Sequence, residues 1–197
     1  MKTRFPNAFV LNVMADDRPG IVAAVSKSIA NEGGNVDACS QTVLAGYFTL
    51  IIIVSFPKAI EPEQLCQTVL GPASAQRGFQ VQVRPFEPTS LPAKSADVEN
   101  FVITAFGADR EGIILRFSSF LADKGINITD LFGSRQGDQF VLIGQVQVPR
   151  GWDIRMLQVD LEQLAKEACY TVRLQHENVF VATNQLRLTH VSPSRAR

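Results

Sequence analysis

Cysteine and histidine are both scarce in this chain of 197 residues, which contains three cysteines and two histidines. Cys39, Cys66 and Cys169 lie far apart, and none belongs to a CxxC pair or to a Cys/His ligand spacing. The sequence therefore predicts neither a disulfide framework nor a zinc site. Because free cysteines usually pack as small apolar side chains, we expect all three to be buried. No metal ion and no cofactor is predicted.

An excess of charge of either sign is also lacking, since 19 Lys and Arg balance 19 Asp and Glu. No overall field therefore favours direct binding to nucleic acid. The longest apolar run, residues 48–56, is far too short to span a membrane. The N-terminus lacks the apolar core and small-residue cleavage site of a secretory signal. We expect a soluble, cytoplasmic protein.

The chain does contain an internal repeat. A shift of 92 positions aligns residues 9–57 with residues 101–149 without a gap. Identities run the whole length of the match, among them Phe9/Phe101, Asp17/Asp109, Arg18/Arg110, Gly20/Gly112, Ile21/Ile113, Gly33/Gly125, Asn35/Asn127 and Pro57/Pro149. An ungapped match of this length indicates a duplicated unit of about ninety residues.

Each copy contains the same predicted elements. An alternating apolar run predicts the first strand of each copy. Apolar residues at positions 21, 22, 25 and 29, and again at 113, 114, 117 and 121, predict a helix of about fourteen residues after it, with one buried stripe. Asp17 and Asp109 occupy the expected N-cap positions of these helices. Two strands with a tight turn follow, and a second helix, near residues 61–70 and 152–167, precedes a closing strand.

The order βαββαβ, present twice, predicts an α+β chain of two ferredoxin-like units in tandem, paired side by side. We expect the first domain to cover residues 1–87 and the second to cover residues 99–186. A linker rich in Pro and Ser is predicted at residues 88–98, and a flexible tail at residues 187–197. Residues 178–191, which overlap the start of that tail, are predicted to be extended.

The third strand of each copy is apolar on both faces. Ile51 and Ile53, with Val141 and Ile143 in the second copy, lie on the face that the helices of a two-layer domain leave bare. Another sheet or a second chain would cover that face, so a homodimer is one expectation. Tolerated surface side chains are the alternative interpretation.

The turn after the first strand, DDRPG in one copy and ADREG in the other, is the strongest candidate for a binding site. The first N–H groups of a helix lack intrahelical partners, and the helix dipole adds partial positive charge there. Gly20 and Gly112 leave room for a ligand carboxylate to approach these groups. The alternative is that each glycine only relieves crowding between helix and sheet.

Asn35 and Asn127 begin the second strand, after a helix roughly 20 Å long. Each therefore lies far from the glycine turn of its own domain, and shares a small ligand with a turn only if the two domains lie antiparallel. The predicted ligand is a small amino acid, with its carboxylate on the helix N–H groups and its ammonium on the Asn oxygen. Alternatively, each Asn is only a turn residue that tolerates a left-handed backbone.

Two sites follow from this arrangement. The predicted first site contains Asp16, Asp17, Arg18, Pro19, Gly20, Ile21 and Asn127. The predicted second site contains Asp109, Arg110, Glu111, Gly112, Ile113 and Asn35. Glu111 stands where the first copy has Pro19, and its carboxylate would repel a ligand carboxylate unless the side chain points away.

The stretches DRPGIVAAVS…GGNV and DREGIILRFS…GINI resemble the start of ACT domains, and the resemblance covers residues 7–177. A chain with two such domains resembles the family of glycine cleavage system transcriptional repressors. The first copy is also similar to the N-terminal domain of formyltetrahydrofolate deformylases. The resemblance implies a regulatory protein that senses an amino acid between paired domains and contacts a partner such as a LysR-type activator.

Catalysis is not expected. A deformylase needs a further domain with catalytic Asn, His and Asp, and the only near-neutral bases here are His176 and His190, away from the repeated motifs. No GxSxG motif and no phosphate-binding glycine loop is present. The sequence favours an amino-acid sensor. A ligand-free interaction module is the alternative, and a regulatory relative of the deformylases without the catalytic domain is the third.

Overall fold

A computed structural model describes residues 1–71, 78–87 and 97–181. The chain divides into two compact units. The first contains β1 (Asn7–Asp16), α1 (Ile21–Asn31), β2 (Asn35–Leu44), β3 (Tyr47–Phe56), α2 (Pro62–Leu70) and β4 (Gln80–Pro85). The second contains β5 (Val98–Ala108), α3 (Ile113–Asp123), β6 (Asn127–Gln136), β7 (Gln139–Pro149), α4 (Ile154–Glu167) and β8 (Tyr170–His176). The predicted order βαββαβ is confirmed in both units.

Each unit has one antiparallel sheet of four strands. The strand order is β2-β3-β1-β4 in the first unit and β6-β7-β5-β8 in the second, which confirms the ferredoxin-like α+β fold. In each unit the first and third strands lie at the centre and pair along their whole length. The second strand is an edge strand with a bulge near its start, between Val36 and Ala38 and between Ile128 and Asp130.

One face of each sheet packs against the two helices of its unit. In the first unit the strands bury alternate residues such as Leu11, Val13 and Ile52, and α1 buries Ile21, Val25 and Ile29. The second unit does the same, with Ile113, Phe117 and Leu121 of α3 over its sheet. The predicted apolar stripe is therefore confirmed at these positions. It is narrower than expected, because Val22 and Ile114 are exposed.

The corner between strand and helix differs from the prediction in its capping residue. The N-caps of α1 and α3 are Gly20 and Gly112, with φ of 94° and 75°, and no side chain caps either helix. Asp17 and Asp109 lie too early in the turn, so the expectation that they cap the helices was wrong. Each helix is also shorter than predicted, at 11 residues.

The two glycines are required by the backbone. A Cβ added at Gly20 or Gly112 would meet no atom within 4 Å, so the alternative in which they relieve crowding is wrong. Their left-handed φ values are ones that only glycine adopts at little cost. The corner is therefore open to its surroundings and depends on glycine for its conformation.

The burial of the cysteines was predicted incorrectly. Cys39 and Cys169 are exposed, and Cys66 is half-buried. Cys39 is exposed because it belongs to the edge strand β2. Cys169 follows α4 in a left-handed conformation, with φ of 60°, at a turn position that does not face the core.

The predictions for the linker and for the C-terminal segment can be compared with the structure only in part. Residues 88–96 of the expected linker and the whole expected tail, 187–197, lie outside the described residues, and β5 already begins at Val98. The described start of the segment predicted to be extended is instead a short helical turn, residues 177–181. Among the residues that the structure describes, no helix is long and apolar enough to cross a membrane.

Replacing Gly20 or Gly112 by alanine should lower the free energy of unfolding by about 1 kcal/mol, because alanine resists the left-handed conformation. Gly151 is the matched control: it is open, with no atom within 4 Å of an added Cβ, and lacks a positive φ. Gly151→Ala should be neutral or slightly stabilising. Chemical denaturation measures the free energy of unfolding of the three variants. An equal loss of stability at Gly20, Gly112 and Gly151 would contradict the backbone explanation.

Candidate functional site

The turn before α1 places the N-terminus of a helix beside the β2–β3 hairpin. The Asp17 N–H donates to the Gly46 carbonyl at 2.8 Å, and the Ala24 N–H donates the first helical bond to Gly20 at 2.9 Å. The N–H groups of Ile21, Val22 and Ala23, in the first turn of the helix, have no acceptor inside the helix. Pro19 and Gly20 are exposed, while Ile21 anchors the corner in the core.

The turn before α3 repeats this geometry. The Asp109 N–H donates to the Asp138 carbonyl at 2.8 Å, and the Arg116 N–H donates to Gly112 at 2.9 Å. Ile113 is buried like Ile21. Both units therefore present an open helix N-terminus with unpaired N–H groups, which is an arrangement suited to a carboxylate.

The two turns differ in charge. Asp109 forms an ion pair with Arg135, Oδ2 to Nε at 3.3 Å, whereas position 43, equivalent to Arg135 in the repeat, is a valine. Both partners are substantially exposed, so the pair contributes at most about 1 kcal/mol. The α3 turn also borders a small surface cavity with charges of both signs, lined by Arg110, Glu111, Ile113, Arg116, Glu167 and Ala168.

Tyr170 is a residue near the α3 turn that the sequence analysis missed. Its side chain is buried, and its hydroxyl has no hydrogen-bond partner among the described residues. Burial raises the pKa of this hydroxyl above the ordinary 10.0, the nearby Asp109 carboxylate raises it further, and Arg110 opposes the shift. The preceding residue also contacts this turn, because Arg110 Nη2 donates to Cys169 Sγ at 3.4 Å.

Asn35 belongs to a polar cluster at the start of β2. Its Nδ2 donates to Asp37 Oδ1 at 3.0 Å, and its Oδ1 accepts from Arg4 Nη1 at 3.4 Å. The other carboxylate oxygen, Asp37 Oδ2, is buried and has no partner among the described residues. Asp37 is not among the residues predicted from the sequence. Its equivalent, Thr129, donates to the Gln145 carbonyl at 3.2 Å.

Within one unit the turn and the asparagine do not meet. Gly20 precedes α1 and Asn35 follows it, and a helix of 11 residues is roughly 16 Å long. Gly112 and Asn127 are separated by α3 in the same way. In the first unit, Asp16 to Ile21 therefore lie at one end of α1 and Asn35 lies at the other. In the second unit, Asp109 to Ile113 and Asn127 lie at opposite ends of α3.

The sheet face away from the helices carries exposed apolar side chains, as predicted. Ile51 is half exposed, and Ile53, Val141 and Ile143 are half-buried. The second unit adds two phenylalanines to this face, Phe106 and Phe132, which are 50% and 51% exposed and pair with Val141 and Ile143 in the sheet. Their equivalents in the first unit are Met14 and Ser40.

The two histidines considered for catalysis are not seen together in one site in the described part of the chain. His176 ends β8, where its ring packs edge-on against Phe101 at 5.2 Å and its Nδ1 accepts from the Asn178 N–H. His190 lies outside the described residues. No group of three or more metal-ligating side chains occurs among the residues searched, which are the described ones.

The repeated βαββαβ unit, with an open helix corner in each copy, defines a protein of two ferredoxin-like domains in tandem. Residues 7–84 and residues 99–175 each match the model of the ACT domain. The chain belongs to the ACT-domain family.

Each of the curated relatives matches a stretch of this chain that is no longer than one ACT unit. A UPF0237 protein of Methanococcus maripaludis is 36% identical over 84 residues, which are 42% of this chain and 93% of the relative. A UPF0237 protein of Methanosarcina acetivorans is 31% identical over 81 residues, 41% of this chain and 88% of the relative. One of Streptococcus mutans is 45% identical over 56 residues, 28% of this chain and 64% of the relative.

Two solved structures resemble the whole chain. An unknown protein from Galdieria sulphuraria matches with a TM-score of 0.69 and 26% identity, over 86% of this chain and 98% of that one. A structure described as a candidate glycine cleavage system transcriptional repressor matches with a TM-score of 0.63 and 18% identity, over 87% of this chain and 98% of that one. At that identity the second match establishes the fold alone.

Alkaline titration should show a tyrosine hydroxyl that ionises above pH 10.0, and Tyr170→Phe should remove that step, because burial disfavours the phenolate. Because burial raises the folded pKa of this hydroxyl above its unfolded pKa, the native state loses stability as the pH rises from the unfolded pKa through the folded pKa. Near-ultraviolet phenolate absorbance measures the titration. Loss of a step below pH 10.0 in the variant would contradict the assignment.

Proposed function

We propose that this protein is a non-catalytic regulator that senses a small amino acid, glycine or serine foremost, and transmits its presence to a partner protein. The observation that carries the proposal is the open, left-handed glycine corner, which occurs at the same place in both ACT units. Each corner combines unpaired N–H groups with the positive end of a helix dipole, and an amino acid carries the complementary carboxylate.

The ammonium group of the ligand needs oxygen acceptors, and the start of the second strand supplies them. Asn35 and Asn127 carry side-chain carbonyls, and the unpartnered Asp37 Oδ2 beside Asn35 is an acceptor with no donor among the described residues. A charged donor such as an ammonium would satisfy that oxygen. This supports ligand binding at Asn35 as well as at the turns.

We propose that a turn and an asparagine from different units share each ligand, because α1 and α3 keep the turn and the asparagine of one unit apart. The first proposed site contains Asp16, Asp17, Arg18, Pro19, Gly20, Ile21 and Asn127. The second contains Asp109, Arg110, Glu111, Gly112, Ile113 and Asn35. A ligand held this way shifts the protein toward the paired arrangement by its differential affinity for it.

The proposed partner is a protein such as a LysR-type transcriptional activator of glycine or one-carbon metabolism, in the cytoplasm. The likeness in fold to a candidate glycine cleavage system transcriptional repressor supports this role. The zero net charge of the chain argues against direct binding to nucleic acid. A homodimer is compatible with the same role.

A second candidate function is a ligand-free interaction module. The bare sheet face of the second unit favours it, because exposed aromatic and aliphatic side chains, among them Phe106 and Phe132, occur there together. A regulatory relative of formyltetrahydrofolate deformylase without catalysis is the third candidate. Formate release from 10-formyltetrahydrofolate is the assay that identifies an enzyme.

Thermal unfolding in the presence of each of the twenty amino acids, with folates included, tests the proposal. A ligand at about one hundred times its Kd should add roughly 2.7 kcal/mol to the native state. We expect a clear rise in Tm with glycine or serine. If no amino acid raises the Tm, the interaction module becomes the better interpretation.

Alanine at Asn127 or Asn35 should weaken amino-acid binding by about tenfold, because each change removes a hydrogen bond to a charged group. Asn12→Ala is the matched control, since Asn12 is exposed on β1, far along the strand from the turn. Calorimetric titration measures the affinities. The shared-site model is wrong if Asn127→Ala and Asn35→Ala bind as the control does.

A further inference from the structure

The hydroxyl of Tyr170 is a buried polar group without a partner. The residue is 6% exposed, and its hydroxyl forms no hydrogen bond with any described residue. Buried hydroxyls in folded proteins nearly always have a partner, because an unpaired one loses its hydration without compensation. An orphaned hydroxyl of this kind therefore indicates a missing partner beside it.

Packing holds this side chain next to the α3 turn. Tyr170 pairs with Gly107 across β5 and β8, and a Cβ at Gly107 would come within 2.7 Å of the tyrosine ring. The ring also packs edge-on against Phe117 of α3, at 6.3 Å between centroids. Because Gly107 and Phe117 flank the turn in sequence, the side chain belongs to the corner where α3 begins. Asp109 and Arg110, in that turn, are the charged groups that act on the hydroxyl.

The first unit has the same position without the hydroxyl. Gln80 opposes Met14 just as Thr171 opposes Phe106, so Phe79 is the equivalent of Tyr170. The residues before them, Gly78 and Cys169, correspond as well, since both have a left-handed φ, of 75° and 60°. Phe79 packs against the core of its unit. The two copies therefore differ by a single oxygen atom at this place.

We propose that Tyr170 donates a hydrogen bond from its hydroxyl to the carboxylate of the amino acid bound at the α3 turn, and so distinguishes this site from the one at the α1 turn. The inference rests on the proposed function. A phenol O–H is a strong donor to a carboxylate, and the helix N-terminus beside it favours the same charge. This donor offsets the repulsion expected from Glu111, and makes the α3 site the tighter of the two.

Calorimetric titration with glycine and with serine, on the wild-type chain and on Tyr170→Phe, tests the inference. The variant should bind about tenfold more weakly at one site and unchanged at the other, because one hydrogen bond to a charged group is lost. In the absence of amino acid, Tyr170→Phe should be as stable as the wild type or more stable, because it removes an unsatisfied polar atom. Phe79→Tyr is the reciprocal control and should leave binding at the tighter site unchanged.

Glycinamide and serinamide identify the ligand group that the hydroxyl contacts, because they lack the carboxylate. The wild type and Tyr170→Phe should bind these amides equally. The inference is overturned if Tyr170→Phe binds glycine and serine as the wild type does, or if it lowers ligand-free stability while leaving affinity unchanged, as a hydroxyl satisfied by a buried water would. Failure of the wild type to bind any amino acid would instead refute the proposed function itself.

Discussion

The burial of one face of each sheet beneath two helices is the constraint on which the rest of this structure depends. The central strands alternate buried and exposed residues, and the helices cover only the buried side. To reach that side, the chain must turn sharply after the first strand of each unit, and a left-handed glycine makes the turn. The open helix N-terminus and the bare outer face are both consequences of this two-layer packing.

The duplication separates what the fold requires from what each copy adds. Both copies keep the glycine corner, the hairpin bond that fixes it and the asparagine after the helix. They differ in side chains that the backbone does not constrain: arginine replaces valine at the hairpin, and glutamate replaces proline in the turn. A shared scaffold with divergent lining residues is the arrangement expected when two related sites differ in affinity or ligand.

The fold was accessible from sequence because its signals are local and repeated. Alternation in the strands and helical spacing in α1 and α3 predicted the elements, and the ungapped repeat predicted the topology twice. The capping residue was missed because Asp17 has the preferred side chain, while the conformation of Gly20 decides where the helix starts. The exposure of Cys39 was missed because it depends on which strand lies at the edge of the sheet, and composition contains no such information.

The residues of the candidate site also fall into two groups, those that the sequence identifies and those that only the tertiary structure identifies. The turns and asparagines could be recognised in the sequence, because the signals for the end of a strand and the end of a helix come from residues that are neighbours in the chain. The orphaned hydroxyl of Tyr170 and the orphaned oxygen of Asp37 could not be recognised. Whether a polar atom is buried without a partner depends on side chains brought together from distant strands and helices. For Tyr170 these are Gly107 and Phe117, and only tertiary packing places them against its ring.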